Sequence, residues 1–389
     1  MEKNVIIIGG GIFGVTAALE LRQRGYQVDI FEQGTLPHPR ASSTDITKMI
    51  RGDYGADTFY TDLMHEAFAG WDKWNQLFSR PLYHQTGFLL LMQQAMQGSS
   101  FEMDSMAAMQ QRGYPVQQLT GSFLQRHFPQ WSAKQYPDGY YNARGGWAES
   151  GAVVAQIAQW ARQAGVQIHE RTAPPALIEE NGLVRGVLTP RGQAMHAAHT
   201  IVAAGAWTPA WVPELQDYLT VTAQPVFHLL PKDPTPFHGD VFPGWSADIS
   251  RTGWYGFPAQ ADGIVKIAHH GVGLVQAPDA TRDVPKHYFD ALHRFLATSL
   301  PTLQDAPIVK TRLCLYCDSQ DGDFYIDHHP DKPGLLVATG GSGHGFKFAP
   351  VLGELIADVL ERKNTPWAAR FRWRQPDKPR FEAARSRSF

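Results

Sequence analysis

The chain has 389 residues, 43% hydrophobic and 19% charged, with 35 basic against 37 acidic side chains and a formal charge of −2. That balance excludes a mini-protein, a mainly disordered chain and a dedicated nucleic-acid binder, whose phosphate contacts need a basic excess. Two cysteines, Cys314 and Cys317, exclude a disulfide scaffold, and no stretch reaches the roughly 20 apolar residues of a membrane helix, so a soluble, cytoplasmic protein without a membrane partner is expected.

In chain order, Asn4 to Ile8 reads as a buried strand, Gly9 to Gly14 as a glycine turn, Val15 to Arg24 as an amphipathic helix capped by Gly25, and Gln27 to Phe31 as a second strand ending in Glu32. Gly9, Gly11 and Gly14 therefore stand between a strand and a helix, with an acid about 20 residues on, the full context of a dinucleotide fingerprint. Gly9 permits the tight turn, Gly11 lets the backbone approach a pyrophosphate, and Gly14 lets helix and strand pack. Glu32 suits ribose hydroxyls and disfavours a 2′-phosphate. The apolar run Val5 to Ile8 is too short for the core of an export signal.

The α/β alternation then breaks off. Residues 81–145, with Leu89 to Met92 and a Gln/Met-rich stretch, read as an insertion. Dinucleotide-type elements return as a helix from Gly151 to Ala164, a strand from Val166 to Glu170, and a strand from Thr200 into the small-residue turn Ala203-Ala204-Gly205-Ala206-Trp207. A second Trp-, Tyr- and Pro-rich insertion follows from Val221, with a strand from Gly263 to His270 and a helix from Val284 to Thr298. The segment from Arg312 reads as a strand running to a turn at Asp321-Gly322-Asp323. The strand from Gly334 to Gly340, the loop Gly341 to Gly345 and the helix Val351 to Leu360 complete the pattern. The basic, aromatic tail 363–389 is expected to wrap the surface.

The glycine turn, the turn at Gly205 and Trp207, Arg312-Leu313-Cys314-Leu315-Tyr316, Asp327-His328-His329-Pro330 and Gly343-His344-Gly345-Phe346-Lys347-Phe348 occur in order at family separations. Together they resemble the monomeric sarcosine oxidase family of flavin amine oxidases, within the D-amino-acid-oxidase superfamily. Ser42-Ser43-Thr44-Asp45-Ile46-Thr47-Lys48 through Arg51 is also similar to fructosyl-amino-acid and pipecolate/saccharopine oxidases.

The resemblance implies an α/β fold: a Rossmann-like FAD-binding domain assembled from residues 1–80, 146–217 and 319–389, with an inserted substrate domain of mixed or antiparallel sheet from 81–145 and 218–318. FAD would lie against Gly9, Gly11, Gly14, Glu32, Ser42, Ser43, Thr44, Lys48, Gly205, Trp207, Gly343, His344, Gly345, Phe346 and Lys347, linked by a thioether to Cys314. In an extended segment Arg312 and Cys314 share a face, so the guanidinium would favour the thiolate, while Cys317 points the other way. Inert core thiols, or redox or metal use, are the alternatives for the pair; a zinc site with His328 and His329 fails on spacing, and no metal is expected.

Arg51 and Lys347 match the family's substrate-carboxylate positions, although Arg51 could equally form a surface ion pair with Asp53 or Asp57. The amides of Gly343 to Phe346, at a helix start, would favour negative charge on the reduced flavin. Lys266 matches the oxygen-activating lysine; the alternative is a strand-edge lysine that guards against aggregation. Tyr255 and His270 match pocket residues, and of the neighbours His269 and His270 only one can face the pocket. Lys48 stands where sarcosine oxidases carry arginine and the other two branches lysine, which weighs against sarcosine itself.

The expected activity is oxidation of a secondary or N-substituted amino acid to an imine, with O2 reduced to H2O2, by a monomer or small homo-oligomer. The competing readings are a dehydrogenase with a quinone or carrier acceptor and a non-catalytic FAD-binding protein.

Overall fold

The computed structural model describes residues 3–98, 100–376, 380 and 384–386. Parts of the tail reading, at 377–379, 381–383 and 387–389, therefore lie outside the described residues.

The β-branched run Val5 to Ile8 makes the strand Asn4–Ile8, which is buried on both faces as a central parallel strand must be. It pairs in parallel with Gln27–Phe31 and His199–Val202. The six-stranded sheet runs Tyr325–His328, Leu335–Thr339, His199–Val202, Asn4–Ile8, Gln27–Phe31, Gln167–His169, with only the first strand antiparallel to its neighbour. Val5 and Ile7 pack against the helices Ile12–Gln23, Ser150–Gln163 and Ala349–Leu360, which cover one face. Ile6 and Ile8 pack on the other face against Val184 and Val187 of the meander Ala176–Glu180, Leu183–Leu188 and Ala194–His196. This meander and the helix Thr58–Leu77 were not anticipated.

A second, mixed sheet joins the two inserted regions. Its order is Leu274–Val275, Leu219–Leu229, Val265–His269, Trp254–Gly256, Gly244–Ala247, Phe88–Met92, Asp138–Asn142, Val116–Thr120. Leu219–Leu229 also pairs antiparallel with Ile308–Ser319 along its whole length. Gly244–Ala247 runs parallel to Phe88–Met92, and this pairing stitches one inserted region to the other. Period-two alternation sorts the faces of Val265–His269: Val265 and Ile267 pack on Tyr288, Leu292 and Phe295 of the helix Lys286–Ser299, whereas Lys266 and Ala268 face the opposite side with Cys314.

The tail is fastened by charge. Arg370 pairs with Asp57 and Asp323, Arg374 with Asp321, Arg380 with Asp323 and Arg385 with Asp318. Beyond Arg385, Ser386 N donates to His270 O at 3.1 Å, and Ser386 Oγ donates to Arg251 O at 2.9 Å.

The junction of first strand and first helix leaves no room for a side chain at Gly14. Gly9 holds φ at +106°, and a Cβ on Gly14 would lie 1.9 Å from Gly9 O, a backbone atom that cannot swing aside. Gly14→Ala is expected to destabilise the protein by about 1–3 kcal/mol and to reduce bound flavin. Thermal melting and the visible spectrum of the purified variant check this; an unchanged melting temperature would refute the packing argument.

Candidate active site

One cavity runs from the glycine turn to the Gly343–Lys347 loop and encloses about 1770 Å³ of empty space, its open mouth included. At the first end, Glu32 accepts hydrogen bonds from the amides of Gly10 and Gly34, both at 2.9 Å, which fixes an acceptor-only carboxylate in the wall. Gly11 begins the helix Ile12–Gln23 and lines the cavity, and a Cβ there would meet only Ser43 Oγ, at 3.4 Å, before projecting into the open space. Ser43 Oγ accepts from Ile12 N at 3.3 Å. A glycine-lined helix start, whose dipole favours an anion, beside a fixed ribose-type acceptor fits the pyrophosphate and adenosine of FAD.

Of the residues expected to bind the cofactor, Gly9, Gly11, Glu32, Ser42, Ser43, Lys48, Gly205, Trp207, Cys314, Gly343, His344, Gly345, Phe346 and Lys347 all line this cavity. Gly14 sits behind it, in the packing role already described. Thr44 does not line it: its carbonyl turns away and accepts from Arg312 Nη1 at 2.8 Å. Trp207 lies in the 3-10 turn Gly205–Ala210, and its indole N–H donates to Asp279 at 3.0 Å.

The far end is built from charged groups out of water. Arg51 is 9% exposed, and no carboxylate among the described residues is ion-paired with it. Its Nη1 donates to the backbone carbonyl of Asp53, whose carboxylate is held instead by Tyr140 OH at 2.6 Å and Asn142 Nδ2 at 3.1 Å. Asp57, the other suggested partner, pairs with Arg370. The Arg51 guanidinium lies 5.6–5.7 Å from the ring centres of Tyr54, Phe88 and Phe101, an aromatic cage. Lys347, in the turn Gly345–Phe348, donates to Tyr54 OH at 2.9 Å, so Tyr54 touches both cations. Tyr54 OH in turn lies 3.0 Å from His344 Nδ1, while His344 Nε2 reaches Gly322 O at 2.9 Å. Since an ammonium only donates and a carbonyl only accepts, the Tyr54 hydroxyl donates to His344 Nδ1, with the imidazole in the Nε2–H tautomer.

Two expectations about local electrostatics need correction. The amides of His344 and Gly345 both donate to Gly341 O, at 2.8 Å, so the loop itself consumes half of the four amides expected to face a ligand. A cation from another segment also reaches the Cys314 thiol, Lys48, with Nζ 4.0 Å from Sγ; Arg312 turns to Thr44 O, with Asp45 at 3.8 Å.

Lys266 is not at a strand edge. It lies in a strand paired on both sides, its side chain 3% exposed, with Nζ 2.7 Å from Asp45 Oδ2 and donating to Thr47 O at 2.6 Å. Burial lowers its ammonium to about 8 against the pull of Asp45. Burial alone would raise the Asp45 carboxyl, but Lys266, His228 and Arg312 hold it well below the usual carboxylate range. His270 and Tyr255 line the cavity, and burial raises the Tyr255 phenol. His269 points the other way, with Trp254 at 5.0 Å, and burial together with the charge of His270 drops it to about 4.

Sequence reasoning missed Asp45, Tyr316, Phe88, Met49, Ser246, Ile249 and Phe257, which complete the walls. The one available signal was Asp45, an acid inside the segment that also carries Lys48 and Arg51. His328 and His329 lie elsewhere, on Val359 O and against Trp373, and among the described residues no group of ligand-type side chains could hold a metal. Nor is any helix of the described residues long and apolar enough to cross a membrane.

The two thiols differ sharply in surroundings. Cys314 packs with Val226, Ala268 and Tyr316, whereas Cys317 packs with Val202 and Val337 on the other side of the strand, although its edge still reaches the cavity. Burial pushes the Cys317 thiol up to about 11, against a contact with Thr339 Oγ1 at 3.7 Å. At pH 8 its thiolate fraction is then about one in a thousand. Native protein is expected to leave Cys317 unmodified by iodoacetamide and to react there only after denaturation; rapid native labelling in a peptide map would contradict this environment.

Known proteins agree with this architecture. The family profile described as DAO, FAD dependent oxidoreductase, matches residues 4–359. The chain is similar to the N-methyl-L-tryptophan oxidase of Salmonella agona, 30% identical over 362 residues that cover 92% of this chain and 94% of the relative. The crystal structure of a fructosyl amine:oxygen oxidoreductase, Amadoriase I of Aspergillus fumigatus, superposes with a TM-score of 0.83 at 25% identity, covering 96% of this chain and 90% of the other. In fold alone, a modified fructosyl peptide oxidase from Aspergillus nidulans superposes with a TM-score of 0.86 at 20% identity over 98% and 96% of the two chains. With a fold and a cavity suited to that cofactor, the chain belongs to the DAO family of FAD dependent oxidoreductases.

Proposed function

We propose that this protein oxidises the C–N bond of a secondary or N-substituted amino acid, with O2 as acceptor and FAD attached through Cys314. The observation that carries the reading is the pairing of Arg51 and Lys347 around one Tyr54 ring, at the end of the cavity that Lys266 and Cys314 also line. Arg51 Nη1 donates to a backbone carbonyl and Lys347 Nζ to a phenol, and two cations at one end of the cavity suit a carboxylate. The relatives' names support the amine side: N-methyl-L-tryptophan and fructosyl amines are both N-substituted.

Bound FAD would supply the two-electron acceptor that takes a hydride equivalent from the carbon beside the amine and passes the electrons to O2. The chain's own residues do the rest. Arg51 and Lys347 orient the substrate carboxylate. Tyr255, Phe257, Met49, Phe88 and Ile249 give the substrate body an apolar wall that limits water, with His270 and Ser246 as its polar groups. Lys266 presents positive charge where oxygen accepts electrons. The net change is amine plus O2 plus water to a carbonyl compound, the released amine and H2O2. The free thiols support a reducing, cytoplasmic setting, and the pairing of Arg370, Arg374, Arg380 and Arg385 with aspartates argues against a nucleic-acid partner for those four cations. A monomer or small homo-oligomer suffices for this chemistry.

Acid precipitation tests the linkage. Yellow colour is expected to stay with the pellet and to move to the supernatant in Cys314→Ser; free flavin from the unaltered protein would reassign Cys314 to a structural role. A peroxide-coupled panel of N-methyl amino acids, pipecolate, proline, sarcosine and fructosyl amino acids should yield peroxide with at least one N-substituted member, and failure of all to reduce the flavin anaerobically would sink the reading. Lys266→Met is expected to slow reaction with O2 by about a hundredfold. Because the Lys266 ammonium sits at about 8, oxygen reactivity should fall as pH rises through that value.

A further inference from the structure

The segment that delivers Lys48 and Arg51 also carries a carboxylate that the proposed chemistry leaves unused. Asp45 is gripped by the start of the helix Ser150–Gln163. Its amide donates to Ser150 Oγ at 3.1 Å, and its carbonyl accepts from Ser150 Oγ at 2.8 Å and from Gly151 N at 2.9 Å. Ile46 N donates to Oδ1 at 2.8 Å, which sets the side-chain rotation. The side chain is 2% exposed and aims Oδ2 at Lys266 Nζ, 2.7 Å away.

Among the described residues, the other titratable groups around Lys266 and Asp45 are cations, an imidazole, a thiol and the Tyr255 phenol. Lys48 and Cys314 lie on its cavity side. His228, directly across the strand pairing from Lys266, and Arg312 approach Asp45 at 3.7 and 3.8 Å. The Phe257 ring lies 4.7 Å from Nζ, and Thr47 O accepts one of its protons. A buried ammonium in such company loses its proton unless an anion stands beside it. Among the described residues Asp45 is the one carboxylate ion-paired with Lys266.

We propose that Asp45 is a positioning residue for the oxygen reaction: its fixed carboxylate holds Lys266 Nζ charged and in place at the cavity wall, separately from the Arg51 and Lys347 grip on the substrate. The proposal rests on the role given to Lys266 above. Burial already lowers that ammonium to about 8 with Asp45 present. Removing the carboxylate lowers it further, so that the amine is neutral at ordinary pH, and acid restores the charge.

The test uses purified holoenzyme, unaltered and as Asp45→Asn, Asp45→Glu and Lys266→Met. Anaerobic reduction by substrate and reoxidation by O2 are timed separately by rapid mixing, and the lysine side chains are titrated by NMR with 13C at Cε, Lys266→Met identifying the Lys266 signal. In Asp45→Asn, reoxidation at pH 7 is expected to slow about tenfold, as a midpoint fall of about two pH units from about 8 requires, and to recover on acidification. Reduction by substrate is expected to change less than about threefold. The Lys266 midpoint should drop by more than one pH unit, and Asp45→Glu should restore part of it. Normal reoxidation in Asp45→Asn with an unmoved midpoint, while Lys266→Met is slow, overturns the proposal alone. Normal reoxidation in Lys266→Met overturns the role of Lys266 and the proposal with it. If Asp45→Asn melts too early for kinetics, the double variant Asp45→Asn/Lys266→Met decides: a melting temperature above that of Asp45→Asn supports the pairing, and no recovery rejects it.

Discussion

The antiparallel ribbon of Leu219–Leu229 and Ile308–Ser319 is the constraint on which the cavity depends, because its two ends serve different parts of the molecule. At one end, Ser342 N donates to Cys317 O at 3.0 Å, and Ser319 N donates to Ser342 Oγ at 3.1 Å, so the ribbon is locked to the glycine loop of the dinucleotide half. Toward the other, Val226 stands opposite Arg312, and His228 stands opposite Lys266 on the neighbouring strand. A one-residue slip would exchange the faces of Cys314 and Leu313 and undo the cavity wall. The register is long and the core-facing side is buried, so such a slip is strongly disfavoured.

Within that frame the protein keeps three cations out of water by three different means. Arg51 is satisfied by a backbone carbonyl and aromatic faces, Lys347 by a phenol, and Lys266 by a full carboxylate. A carboxylate neutralises a cation at long range and fixes it at short range, which sets Lys266 apart from the other two. The division suits a site that must bind a charged substrate at one place and hold a steady local charge at another.

Local sequence was enough for the elements that depend on neighbours. The strand from Asn4, the glycine turn, the helix after it and Glu32 all follow from contiguous patterns. So does the sorting of Lys266 and His270 from His269, which needs only strand alternation. What sequence could not give was pairing at a distance. Asp45 and Lys266 meet only because the helix at Ser150 grips one and the mixed sheet presents the other. Thr44 looked like part of a cofactor-binding run, yet the chain turns there, its amide donating to Ala41 O and its carbonyl accepting from Arg312. Arg312 and Cys314 do alternate onto one face of a strand, but alternation says nothing of which cation bends toward the thiol, and Lys48 arrives from another segment. The meander of 176–196 stayed hidden because its strands are short and half exposed.

The clasp at the tail has a consequence for the order in which the protein becomes competent. Val5 to Glu32 can form their strand, turn and helix as soon as they are made, since those contacts are local. The cavity wall at His270 is braced by Ser386 through its backbone, and Arg385 fastens that clasp to Asp318. During synthesis on a ribosome, the wall therefore waits for residues more than a hundred positions downstream, and a chain interrupted before them carries a finished cofactor turn beside an unbraced pocket. Maturation of the two ends is staggered in time by the topology itself.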